Sequence, residues 1–225
     1  VVSVYVQCSD TNEEKIKEAE NRMDNSISGW IILGFNHAVN GYNVWKSGQQ
    51  IDPLTLDAEW LRSYGFVKSA EKFNEQRFES GGIGNSDNSL TDLVKKASST
   101  GQIQVLDAYL DRAIDAGYDS DYYWTIGESH LKSSAVISVI PLGNDRIQIQ
   151  GTITHKIQDI YNFNPGDVFG LIYTVEADDL NLLKKCRTAN DYTQFGKWTK
   201  QVDITGDVQN ISKMLQTGKL PWIIV

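Results

Sequence analysis

Basic charge is what this chain lacks most: 21 Lys and Arg stand against 29 Asp and Glu, a formal charge of −8, and the pI is near 4.9. Sequence-independent nucleic-acid binding depends on clustered Lys and Arg that displace counterions from phosphates, so nucleases and DNA-binding modules fall in rank. No apolar run approaches the roughly 20 residues that a membrane-spanning helix requires; the greasiest window, Ser28 to Phe35 (SGWIILGF), is far too short. Cysteine is scarce as well. Cys8 and Cys186 lie far apart and form no CxxC, so neither a disulfide framework nor a zinc site is written here. One long-range disulfide or two buried thiols remain, and the thiols are the expectation. The common catalytic signatures are missing too: there is no phosphate loop, HExxH helix, GxSxG elbow or EF-hand loop. The chain starts VVSVYVQ without a charged n-region, so an intact secretory signal is not expected there and the cellular address must come from function.

What is present reads as a helical first half feeding a sheet. Val1 to Val6 is expected as a short strand. Ser9 or Asp10 caps a helix carrying Ile16, Ala19, Met23 and Ile27 at helical spacing. A Gly- and Asn-rich loop is expected through Gly41 and Gly48, then a helix opened by Asp52-Pro53 with Leu54, Ala58 and Leu61 on one face. Ser69 is expected to cap another helix, holding Phe73 and Phe78. Glu79 to Ser89 (ESGGIGNSDNS) reads as a linker; its Gly81-Gly82-Ile83-Gly84 resembles a phosphate loop only in composition, since it follows a helix and not a strand. Ser89 with Asp92 makes a capping box before Leu90, Leu93, Val94 and Ala97. A further helix is expected through Ile103, Leu106, Leu110 and Ile114, with Asp107, Asp111 and Asp115 on its solvated face.

From Tyr122 the period changes from 3.6 to 2. Leu131 to Ile140 and Arg146 to Gln158 read as two strands of a hairpin joined by Pro-Leu-Gly-Asn-Asp, with Ile147, Ile149, Ile153 and Ile157 sharing the core face. Gly166 to Val175 is expected to continue the sheet, Asp178 to Cys186 to form a helix, Trp198 to Ile204 a strand, and Val208, Ile211 and Leu215 a last helix ended by Gly218. The fold class is α+β, a helical N-terminal half packed on a curved, half-barrel-like antiparallel sheet, with a mainly helical region over residues 1–121 and a β-rich region over residues 122–225.

Three scattered histidines, His37, His130 and His155, do not make a metal site. His155 has the parity of Ile153 and Ile157, so it is either a satisfied core histidine or a catalytic one, and pairing across the hairpin would put His130 near the same end. The same parity reaches Asp159 and Tyr161, where the strand gives way to Asn162-Phe163 and the turn Asn164-Pro165-Gly166-Asp167.

The run from Thr125 to Asn164 resembles the activity domain of colicin M and related lipid II-degrading bacteriocins. The matching positions are Gly127, Leu131, Lys132, Gly151, Asp159, Tyr161, Asn162, Phe163 and Asn164. A helix at Leu180 to Cys186, a loop with Tyr192 and a strand at Trp198 to Ile204 are similar in layout. Two departures stand out: Val168 and Phe169 occupy the positions of the family's His-Arg pair, and Asn162 that of its second carboxylate. The resemblance implies an antibacterial toxin or effector, secreted or delivered to a target's periplasm. Its hydrolytic target would be the lipid-pyrophosphate linkage of lipid II, and a cognate immunity protein could accompany it. It points to Asp159, Tyr161, Asn162 and His155 as catalytic, Lys132 and Lys156 as substrate-binding, and Asp159 with Asp167 as ligands of Mg²⁺, with Asp167, His155 or His130 filling the lost roles. Two alternatives stand beside this: a scaffold of the same kind that has lost catalysis and serves as a binding module, and an Asp159 that merely caps the turn.

Overall fold

The computed structural model describes residues 8–49, 53–81, 89–169 and 174–225. Its first half holds α1 (Asp10–Ile32), α2 (Asn36–Ser47), β1 (Leu54–Thr55), α3 (Ala58–Ser63), α4 (Gly65–Ser80), α5 (Leu90–Thr100) and β2 (Gln104–Ile114). Then come α6 (Asp121–Ile126), β3 (Ser129–Gly143), β4 (Arg146–Tyr161), β5 (Val168–Phe169) and β6 (Val175–Glu176). The chain ends with α7 (Ala177–Cys186), β7 (Tyr192–Asp207), α8 (Val208–Thr217) and β8 (Ile223–Ile224). The fold is α+β, with most helices early and most strands late. Among the described residues no helix is long and apolar enough to cross a membrane.

Two compact units divide the chain, each drawn from three stretches: Val1–Thr55, Ala116–Glu128 and Asp159–Gln194 in the first, Leu56–Asp115, Ser129–Gln158 and Phe195–Val225 in the second. A cut at residue 121 falls inside one of these stretches. In the first unit, Ser9 caps α1 by accepting the backbone N–H of Asn12, and Ile16, Ala19 and Met23 bury the face that the spacing predicts. Their core partners include Trp30, Tyr42, Trp45, Leu180 and Leu183. Cys8 and Cys186 are disulfide-bonded with Cα atoms 5.8 Å apart, not free thiols; α1 and α7 bring together two thiols whose 178-residue separation gave no hint of contact.

The second unit is built on the β3–β4 hairpin, which turns through Asn144 and Asp145 at φ 51° and 57°. Both positive angles suit the tight turns whose twist matches that of paired strands. The strand order is β7-β4-β3-β2, with β8 pairing β7. Ile147, Ile149 and Ile153 of β4 are fully buried with Ala135, Ile137 and Val139 of β3, under Phe78, Leu90, Leu93, Ile211 and Leu215 from α4, α5 and α8. Each buried Ile contributes on the order of 2 kcal/mol, which fixes which face of β4 points inward. Ser89 and Asp92 form the expected cap: the Ser hydroxyl accepts the Asp92 N–H at 3.2 Å and donates to its carboxylate at 2.6 Å.

Several expectations are corrected. Residues 104–114 form a strand, paired antiparallel with β3 from Gln104↔Val139 to Ile114↔Ser129; the sheet therefore starts well before residue 122, and Asp121–Ile126 is a helix. The Gly41 region is helical, not a loop, because the Asp121 carboxylate accepts the backbone N–H groups of His37 and Ala38 at 3.1 and 2.8 Å and so caps α2 from a distance. The third helix starts at Ala58 behind the Asp57 cap, with Leu54 in a short strand. Ser69 lies inside α4, its hydroxyl bonded back to Gly65 O at 2.8 Å. Tyr192 begins β7 instead of lying in a loop. Val168–Phe169 pairs with Val175–Glu176 as a separate two-stranded sheet, so this stretch does not extend the main one. The expected strand at Val1 to Val6, the Asp52 cap, the body of the Glu79–Ser89 linker with its glycine run, and residues 170–173 lie outside the described residues.

Candidate functional site

Alternation along β4 survives to its last residue: Ile157 is buried, Ile160 is exposed, and Tyr161 is buried again. Asp159 therefore faces inward and is partly shielded from water. Gln194 Nε2 reaches its Oδ2 at 3.3 Å while also donating to Thr125 O at 2.6 Å. Desolvation outweighs the Gln194 amide and the Ile160 backbone N–H and raises the Asp159 pKa to about 6. Tyr161 stacks on Tyr192 with centroids 5.3 Å apart and planes within 6°. Burial keeps the Tyr161 hydroxyl protonated, its pKa well above the usual value. A Cβ on Gly41 would stand 2.8 Å from the Tyr161 ring, so α2 passes this pair only because that residue is Gly. Phe163 sits edge-on to Trp45 at 4.6 Å, and Asn181 Nδ2 holds the Phe163 carbonyl at 2.8 Å.

Beyond Phe163, Asp167 N–H closes on Asn164 O at 3.1 Å with Gly166 at φ 86°, the turn that Pro-Gly at its centre prescribes. The turn places Asp167 on the same cleft as Asp159. This cleft, of about 680 Å³, is also lined by Trp30, Tyr118, Tyr123, Trp124 and Glu128. Burial, the Tyr118 hydroxyl and the charges of Glu128 and Asp167 raise the Tyr123 pKa to about 12. Its described lining includes three carboxylates and no Lys, Arg or His.

Of the expected catalytic residues, Asp159, Tyr161 and Asn162 line this cleft together and His155 does not. His155 belongs to the second unit and is fully buried, its Nδ1 2.8 Å from Ser133 Oγ, a hydroxyl that also accepts from Asn74 Nδ2 at 2.8 Å. Nε2 lies 3.4 Å from Glu75 Oε1 and has no hydrogen-bond partner among the described residues. Glu71, Glu75 and His155 each offer a ligand atom within 4.8 Å of the others. Lys200 bridges both carboxylates and Arg62 pairs with Glu71 at 2.9 Å, so the charge a metal would balance is already balanced. The group reads as a buried structural network. His130 lies on the outer face, 2.6 Å from Asp111, away from His155 on the inner one. Lys132 and Lys156 are opposed across β3 and β4 and do not line the cleft.

Mg²⁺ takes oxygen ligands, commonly one or two carboxylates completed by substrate phosphates and water. The Asp159 and Asp167 donors fit that chemistry, in a cleft whose described lining offers no counter-cation. Sequence reasoning missed Gln194, Thr125, Glu128 and the aromatic wall. The Tyr122-Tyr123-Trp124 run was the available signal, though its pattern does not distinguish a wall from a core. No family model matches this chain, and neither does any curated protein or solved structure.

Proposed function

We propose that this chain is an antibacterial effector module directed at the bacterial envelope, in which the Asp159 cleft hydrolyses the lipid-pyrophosphate linkage of lipid II. The observation that carries this reading is Asp159 itself: a half-buried carboxyl with a pKa of about 6, at the end of the strand that resembles the colicin M motif. Such a group changes protonation near the operating pH, as acid–base catalysis requires. Its carboxylate accepts a proton from water attacking phosphorus; the P–O bond to the lipid breaks and the lipid alcohol leaves with a proton from solvent. Tyr161, kept as a neutral phenol, lines the same cleft as Asp159. Asp159 and Asp167 would hold Mg²⁺, whose charge offsets that developing on the diphosphate, a role for which Val168 and Phe169 supply no cation. The Cys8–Cys186 disulfide supports an oxidising compartment outside the cytoplasm.

A second reading, a binding module without turnover, is favoured by one observation: the described cleft lining offers no cation to clamp a diphosphate. Purified chain incubated with lipid II, with and without Mg²⁺, decides between them. Release of the free lipid alcohol by the wild type, lost in Asp159→Asn, supports hydrolysis. Binding of lipid II with no release under any condition selects the second reading.

A further inference from the structure

We infer that the Asp159 cleft is a saccharide subsite, built to hold an uncharged pyranose ring against its aromatic wall. The inference rests on the envelope reading for the choice of cleft, since lipid II carries a disaccharide beside its diphosphate; its chemistry comes from the lining alone. Four rings form a continuous wall: Tyr118 to Tyr123 at 4.4 Å between centroids, Tyr123 to Trp124 at 5.5 Å, and Trp124 to Trp30 at 5.6 Å. Trp124 is fixed in that wall by donating its indole N–H to Tyr118 O at 2.7 Å. The volume of about 680 Å³ is within the range of small-ligand sites.

The polar part of the cleft selects among ligand classes. Glu128, Asp159 and Asp167 are acceptors when ionised, and Asn162 and Asn164 offer both donors and acceptors. Without a bound cation, an anion such as a phosphate would meet negative charge with nothing in the described lining to neutralise it. A purely apolar ligand would use the rings and leave the carboxylates without a role. A sugar matches both halves, because its C–H face lies on the rings while its hydroxyls donate to carboxylate and amide oxygens. One further group is left over: the Trp30 indole N–H, on a side chain only 1% exposed, has no hydrogen-bond partner among the described residues. A buried donor without a partner is costly, and Trp30 lines this cleft.

The test titrates the full chain, in metal-free buffer, with the neutral tetrasaccharide of β-1,4-linked N-acetylglucosamine, following tryptophan fluorescence and heat, with inorganic pyrophosphate as competitor. Two variants accompany it, Trp124→Ala and Tyr118→Ala; the Tyr118 side chain is largely exposed, so its removal leaves folding intact even where loss of Trp124 does not. Saturable binding that weakens roughly tenfold in Tyr118→Ala and is unaffected by pyrophosphate is the expected result. Absence of saturable binding, binding undiminished in both variants, or displacement by pyrophosphate overturns the inference. Lipid II hydrolysis measured on the same preparation separates the two claims: tetrasaccharide binding without hydrolysis removes the hydrolase reading and leaves the subsite, and hydrolysis without tetrasaccharide binding does the reverse.

Discussion

Asp159 and Glu79 are carboxyl groups that burial holds protonated closer to neutrality than an exposed acid. Glu79, in the second unit, accepts the Trp222 indole N–H at 2.8 Å through Oε1 while its buried Oε2 has no partner among the described residues, and desolvation raises its pKa from 4.5 to about 7. A raised folded-state pKa means that its contribution to stability is complete below about 4.5 and is lost as pH rises through about 7. Glu79→Gln should therefore be more stable than wild type at pH 8, by about 2 kcal/mol, and no more stable at pH 4; urea denaturation at the two values checks this. Asp159, moved from 3.8 to about 6, follows the same sign, so Asp159→Asn should raise stability at pH 7.5 while abolishing turnover. A fall in stability with activity retained would make Asp159 a turn cap. The inward position of Asp159 was legible because strict alternation carries a side chain's direction along a strand. Its partner Gln194 was not, since it arrives from β7 and no local pattern marks it.

At the scale of elements, the hairpin was legible and β2 was not. In β3 and β4 the polar positions alternate residue by residue, which only a strand satisfies. Leu106, Leu110 and Ile114 recur every fourth position, a spacing that fits one face of a helix and one face of a strand equally. Pairing with β3 decides it, and Val105 and Tyr109 on the outer face are at home in a strand. The α2 helix was missed for a different reason: its cap is Asp121, a carboxylate more than eighty residues away. The hairpin also tolerates no side chain at Gly151. A Cβ there would lie 2.5 Å from Ile137 Cα on the partner strand, so Gly151→Ala should lower stability by about 2–3 kcal/mol, read as a shift in the urea midpoint. The bond between Cys8, ahead of α1, and Cys186, at the end of α7, makes a separate prediction. Cys186→Ser should lose about 2–5 kcal/mol, and reductant should lower the melting temperature of the wild type and not of the variant.

For the molecule as a whole, the proposed chemistry belongs to the first unit, and the second, with its apolar core and its charge-balanced Glu71, Glu75, Lys200 and Arg62 network, is a structural body. Sequence reading divided the chain once, near residue 121, because periodicity changes there; the units instead interleave three stretches each, which no linear composition shift reveals. The central claim is that this chain damages the bacterial envelope from outside the cytoplasm through Asp159. The most direct test expresses wild type and Asp159→Asn in a bacterium, each with and without an export signal, and follows culture lysis. Lysis from exported wild type alone is the predicted result. Lysis by exported Asp159→Asn at the wild-type rate, lysis from the cytoplasmic form, or unimpaired growth with the exported wild type would contradict it.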